Sequence, residues 1–203
     1  MYRRKPTPRW SQSGNPSFEP LTLADAKAHL RVDVSDEDTL ITSLISAARI
    51  YVEARTGRVL SQRAFTVELD GFPMNGEDIV LPFAPVSSIV SVSYFDTSGA
   101  AQPMVAGTNY RSALGLHLPR LRLPVTATEW PETANVSDAV SISLIAGYSG
   151  VNAVPETINQ AMRLLVGHWF ENREAVVTGT ISSSVQMTVE SLCGIMRTGE
   201  VML

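Results

Sequence analysis

The sequence predicts an α+β protein. A helical bundle, two N-terminal helices plus one long C-terminal helix, carries an inserted, mainly antiparallel β domain and ends in an extended C-terminal tail. Three observations predict it. Capped helical patterns run from Thr22 to about Thr56, apolar periodicity changes to two between Phe65 and Leu144, and a helical period returns after Pro155. Helices on both sides of a contiguous run of strands make the strands an insertion, with the outer helices meeting in one bundle. The segments are a flexible basic arm over residues 1–18, the bundle over 19–60 and 152–178, the β domain over 61–151, and a tail with a short helix over 179–203.

Composition narrows the function. The 203 residues are 44% hydrophobic and 18% charged, enough to bury one sizeable core or two small ones. A formal charge of −4 argues against a dedicated nucleic-acid binder, which would carry a basic stripe. No apolar run approaches the roughly 20 residues that span a bilayer, so no membrane partner is expected. The charges of MYRRKPTPRW precede no apolar core, so no export leader is expected either. A single Cys193 cannot form an internal disulfide, which is compatible with a reducing cytoplasm.

Each element follows from local spacing. Arg3, Arg4, Lys5 and Arg9 precede the first acid, Glu19, and are mixed with Pro6, Pro8 and Pro16. Such a stretch reads as an extended arm, either a frayed terminus or a grip on a neighbouring subunit or acidic surface. Thr22-Leu23-Ala24-Asp25 has capping-box spacing, with Asp replacing the usual Glu, and opens a short helix to about Leu30. A second cap at Ser35, followed by Asp36, Glu37 and Asp38, opens a helix over about 36–56. Ile41, Leu44, Ile45, Ala48 and Val52 form its apolar line, and Gly57 can take the left-handed conformation that ends it.

Phe65, Val67 and Leu69 then alternate with Thr66, Glu68 and Asp70 as a strand with one buried face. Asn75-Gly76 reads as a hairpin reversal. A short strand over 79–83 is broken by Pro82, and a longer one over 89–95 places Val90, Val92 and Tyr94 on one face against Ser91 and Ser93. Residues 96–99 turn, 110–123 supply at least one more strand pair, and Val140, Ile142 and Leu144 close the series. In the long helix from Pro155 to Val177, Ile158, Met162, Leu165 and Trp169 line one side and Ala161, Leu164 and His168 widen it, so it packs on more than one side. Val189, Leu192, Cys193 and Met196 mark a short tail helix that needs a surface, from its own bundle or from another protein's groove.

No catalytic constellation is legible, so no catalytic, cofactor or metal site is predicted and the protein is not expected to be an enzyme. His168 and Glu171 lie three apart on a helix but lack a third ligand nearby. Gly147-Tyr148-Ser149-Gly150 departs from the nucleophile-elbow spacing, and neither a phosphate loop nor a Gly-x-Gly-x-x-Gly turn is present. Trp169 and Phe170 point to different sides of their helix, either both into one core or one of them toward a partner.

Three phrases resemble a known family: LTLADAKAHLRVD, DEDTLITSLISAARIYVEARTGRVL and VPETINQAMRLLVGHWFENREAVV. They are similar to the head-to-tail connector (adaptor, head-completion) proteins of long-tailed bacteriophages and gene-transfer agents. The likeness covers about residues 20–180, and HWFENREAVV at 168–177 is its most specific part. It implies a virion structural protein at the head-tail junction, made in the bacterial host cytoplasm and acting without catalysis. The protein would form a homo-oligomeric ring, dodecameric in the family, that sits beneath the portal and joins the DNA-filled head to the next neck or tail protein, a stopper or tail terminator. DNA would pass through without sequence-specific binding. On that resemblance the ring interface falls on Arg49, Arg55, His168, Trp169, Phe170, Arg173 and Glu174. The portal contact falls on Ser191, Leu192, Met196, Arg197, Val201, Met202 and Leu203. The nearest rival is a stopper or terminator itself. From another class come a glycan-binding module or a hydrolase built on the β block, with Trp130 beside Pro131 as its one prominent aromatic.

Overall fold

The computed structural model describes residues 8–115, 117–173 and 183–198, the side chains of Ser183 and Ser184 excepted. Its elements are β1 (Arg9–Gln12), α1 (Leu23–Leu30), α2 (Asp38–Thr56), β2 (Arg63–Leu69), β3 (Ile79–Val80), β4 (Val86–Phe95), β5 (Ala101–Met104), β6 (Arg111–Ala113), β7 (Arg120–Arg122), β8 (Val140–Ala146), α3 (Glu156–Glu171) and α4 (Ser183–Met196). The chain is α+β, and it divides into two compact units. One comprises the described residues of Pro16–Ser61 and Tyr148–Thr198; the other is built on Gln62–Gly147 with the described residues before Pro16.

In the first unit, α1 to α4 enclose one core. Ile41, Ile45, Ala48 and Val52 of α2 meet Ile158, Met162 and Leu165 of α3, with Val189 and Cys193 of α4 closing the cluster. The end of α4 is therefore part of the bundle. The short helix predicted within 179–203 is α4, and of the two surfaces open to it the unit's own core receives Val189 and Cys193.

Thr22 caps α1 as its spacing predicts, its hydroxyl accepting from the Asp25 N–H at 3.1 Å. The predicted Ser35 cap is displaced. α2 starts at Asp38 after an N-cap Glu37 that makes no side-chain cap bond, because the Ser35 carbonyl takes the Asp38 N–H at 3.1 Å and Lys27 Nζ holds the Asp38 carboxylate at 2.6 Å. Gly57 ends the helix at φ 67, its N–H donating to the Glu53 carbonyl. α3 stops at Glu171, short of the predicted Val177. There the Asn172 backbone and side-chain amides both donate to the His168 carbonyl, at 3.0 and 2.8 Å.

In the second unit, a five-stranded antiparallel sheet runs β1-β2-β8-β4-β5 and a three-stranded antiparallel sheet runs β3-β7-β6. β8 lies at the centre of the larger sheet. Its buried Val140, Ile142 and Leu144 stand directly opposite Leu69, Val67 and Phe65 of β2, which is the period-two pattern satisfied on both strands.

Four expectations fail here for identifiable reasons. Residues 9–12 are an edge strand, not an arm: they pair with β2, Trp10 lies edge-on to Phe65 and Phe83, and Arg9 bridges Asp70 and Asp138. Asn75-Gly76 makes the tight left-handed turn that the pair favours, the Glu77 N–H donating to the Met74 carbonyl at 3.2 Å, but it closes no hairpin, because β2 and β3 belong to different sheets. β3 ends at Val80, before Pro82, and β5 was not anticipated because Pro103 breaks its pattern; Pro is tolerated there because β5 is an edge. Val90 is 64% exposed while Val92 is buried. Ile89 and Ser91 of β4 pair with consecutive residues of β8, so Val90 is the extra residue of a bulge and leaves the alternation. The turn at 96–99 forms as expected. The Asp96 carboxylate accepts from Ser98 and Gln102 side chains and from the Ala100 and Ser98 amides, which hold its pKa down to about 2.

Candidate functional site

The predicted interface residues cluster in part around one aromatic and ionic strip of the bundle unit. Trp169 of α3 lies edge-on to Tyr51 of α2, with ring centroids 6.2 Å apart. The Arg55 guanidinium stands 5.2 Å from the same Tyr51 ring and reaches Glu190 of α4 at 3.5 Å. The strip thus ties three helices together along a half-exposed surface. At the far end of α3, the Arg173 guanidinium covers the Phe170 ring at 4.6 Å and pairs with Glu37 at 3.0 Å, joining the end of α3 to the start of α2. His168 is half-buried, its Nδ1 3.3 Å from the Asn172 side-chain amide nitrogen.

Arg49 does not join them. It is 7% exposed, with its guanidinium on Glu19 at 2.9 Å, Glu53 at 3.3 Å and Ser46 at 3.2 Å, so it serves the subunit's interior and is corrected as an interface residue. A buried arginine needs its donors filled at home, and nothing in its helical position distinguished that case from a surface one. Glu174 lies outside the described residues.

Trp169→Ala is expected to lower bundle stability by about 2 kcal/mol, short of the cost of truncating a fully buried aromatic, because the ring is half-exposed. Arg173→Glu should cost under about 1 kcal/mol, as the ion pair it breaks is solvent-screened. Thermal unfolding of the two variants side by side checks the ranking.

The predicted portal residues divide in the same way. Leu192 and Met196 pack against the bundle core, on either side of buried Cys193, whose thiol pKa is raised chiefly by burial. Ser191 and Arg197 are exposed. Val201, Met202 and Leu203 lie outside the described residues. The chain at the end of α4 is fastened to the end of α2. Arg58 Nε donates to the Met196 carbonyl at 2.6 Å, its Nη1 to the Tyr148 hydroxyl at 3.2 Å, and the Thr198 N–H to the Thr56 carbonyl at 3.0 Å. Sequence reading missed Arg58 and Thr198, because long-range side-chain to backbone bonds leave no local signature. It also missed the outward sides of α2 and α4, which carry Ser43, Ala47, Ile50 and Ala54 on one helix and Met187, Ser191 and Ile195 on the other. Their signal was legible: helical spacing with no charge.

Among the described residues no three His, Cys, Asp or Glu side chains come together as metal ligands, and no helix is long and apolar enough to cross a membrane. The bundle unit carries exposed, uncharged sides on α2 and α4.

Comparison with known proteins gives that surface a context. Residues 20–112, from the approach to α1 into β6, match the family model of phage gp6-like head-tail connector proteins. A chain in the neck of an empty gene transfer agent (GTA) particle, computed with C6 symmetry, superposes with a TM-score of 0.76 at 26% identity, covering 96% of this chain and 97% of that one. Residues 20–112 are thus similar to the head-tail connectors. A chain of the native GTA virion gives the same TM-score at 25% identity, over 95% and 97% of the two chains. A chain in the neck of the native GTA particle, computed with C12 symmetry, shares the fold at a TM-score of 0.69 and 23% identity, over 96% and 97% of the two chains. No curated protein matches the sequence. The likeness to GTA chains thus extends over both units, whereas the family model reaches only residues 20–112.

Proposed function

We propose that this protein is a structural adaptor of the virion neck, one subunit of a ring that joins the DNA-filled head to the tail. The observation that carries the proposal is the nearly end-to-end match to a GTA neck chain at 26% identity. The adaptor acts by binding alone, with no cofactor and no catalytic step. In this reading the ring is dodecameric and sits beneath the portal at the head-tail junction. On its other side it meets the next neck or tail protein, a stopper or tail terminator.

The portal contact narrows to Arg197 and the residues after it, since Leu192 and Met196 are taken up by the bundle and Ser191 lies on the outer side of α4 with Met187 and Ile195. Arg55, His168, Trp169, Phe170 and Arg173 remain at or near the subunit surface, and Arg173→Glu is expected to impair ring formation while sparing the monomer. A formal charge of −4, repeated in every subunit, favours a channel that lets duplex DNA pass, because phosphate pairing would hold it.

Native mass spectrometry of the purified full chain, with and without a portal ring, tests the proposal. A ring-sized species is expected, either alone or on the portal. A monomer that never associates with portal overturns the adaptor assignment. Tight duplex binding at physiological salt overturns the passive channel.

A further inference from the structure

Two helix sides of the bundle unit face outward without a charge. On α2, Ser43, Ala47, Ile50 and Ala54 follow at four, three and four residues and so form one line, about 16 Å long at 1.5 Å per residue. All four are exposed, Ile50 at 58%, on the side opposite the buried Ile41, Ile45, Ala48 and Val52. On α4, Met187, Ser191 and Ile195 repeat at four residues, opposite the buried Val189 and Cys193, with Met187 72% and Ile195 67% exposed. A helix side turned to water ordinarily carries charged residues. Here the nearby charges are engaged elsewhere: Arg49 with Glu19 and Glu53, and Arg55 with Glu190.

We propose that the outer side of α4 in one subunit packs against the outer side of α2 in the next copy of this chain, and that this pair is the apolar part of the repeating contact of the ring. The inference rests on the ring reading above and names its surfaces. A closed ring joins two different patches of identical subunits, and one bundle unit supplies both patches. The patches are complementary in size. α4 offers large, small, large in Met187, Ser191 and Ile195, and α2 offers small, large, small in Ala47, Ile50 and Ala54. Along both helices the outer members are about 10–12 Å apart, so Ile50 fits over Ser191 while Met187 and Ile195 lie over the two alanines. Neither patch has a charge to desolvate, which removes the main cost of burying a helix side.

Two full-length charge variants, Ile50→Glu and Ile195→Glu, test the pairing. Circular dichroism should show wild-type helix content, and native mass spectrometry should show at least a tenfold loss of the ring species. In a second experiment Ile50→Cys and Ser191→Cys, the pair that this register places face to face, are combined with Cys193→Ala and oxidised. A ladder of linked subunits longer than a dimer is expected. Wild-type rings from both charge variants, no ladder from assembled double-cysteine rings, or a covalent dimer from either single-cysteine protein overturns the pairing and leaves the ring reading standing. A wild-type chain that forms no ring, alone or on portal, overturns the ring reading and this pairing with it.

Discussion

Gly76→Ala should destabilise the β unit by about 3 kcal/mol, combining roughly 1–2 kcal/mol for a left-handed L-residue with a similar or larger cost of overpacking. Gly76 holds φ 67 directly after Asn75 at φ 56, so two consecutive residues are left-handed. A Cβ on Gly76 would overlap the Thr128 carbonyl oxygen and come within 3.1 Å of Leu123 Cδ1. The carbonyl is backbone and cannot rotate aside. The neighbouring chain is also pinned, because the Trp130 indole N–H donates to the Glu77 carbonyl at 2.8 Å and its ring stacks on Phe72 at 5.2 Å. Denaturant unfolding followed by Trp fluorescence measures the loss. Gly99→Ala is the control: φ is 82 there, but nothing lies within 4 Å of a built Cβ, so only the backbone strain should register, at about 1 kcal/mol. Equal losses at the two positions would mean that the Thr128 contact contributes nothing.

The same turn shows what local sequence could and could not convey. Asn75-Gly76 announced left-handed residues correctly, but the partner of β2 is β8, more than 70 residues onward, and no turn signal carries that information. Period two located Phe65, Val67 and Leu69, and Val140, Ile142 and Leu144, as buried strand positions, whereas their direct opposition is a tertiary fact. Val90 followed the alternation in sequence and left it in structure, since a bulge is set by the neighbouring strand. The strand at Arg9–Gln12 escaped notice because it is exposed along its whole length, so hydropathy had nothing to mark. In the candidate site, Trp169 and Phe170 were legible as helix residues with two directions, and Tyr51 and Arg173 are the neighbours that the fold supplies to them. Arg49 was misjudged for the converse reason: its carboxylate partner Glu19 lies outside the helix, 30 residues away.

Arg58→Ala should release the end of α4 and lower bundle stability by about 2–4 kcal/mol, the range for a buried charged donor whose removal strands buried acceptors. Arg58 is 4% exposed and follows Gly57, whose left-handed turn takes the chain out of α2 and brings the guanidinium under the end of α4. Its bonds to the Met196 carbonyl and the Tyr148 hydroxyl satisfy one of the carbonyls that every helix end leaves open and one buried hydroxyl. Without the guanidinium, the Met196 carbonyl and the Tyr148 hydroxyl lose this donor, which leaves Thr198 donating to Thr56 and Arg197 Nε donating to the Arg55 carbonyl at 3.3 Å. Hydrogen exchange should therefore speed up most over residues 187–198 and far less in α1, which Arg58 does not touch. Arg58→Lys, with one ammonium in place of a fork, should recover part of the protection. Loss of protection in all four helices alike would mean that Arg58 supports the whole core and does not act as a clasp for α4. Because α4 also carries Met187, Ser191 and Ile195 outward, a loosened α4 should assemble poorly even at temperatures where α1 to α3 remain folded. Ring yield should then fall in step with the protection of α4 and not with the melting temperature of the bundle.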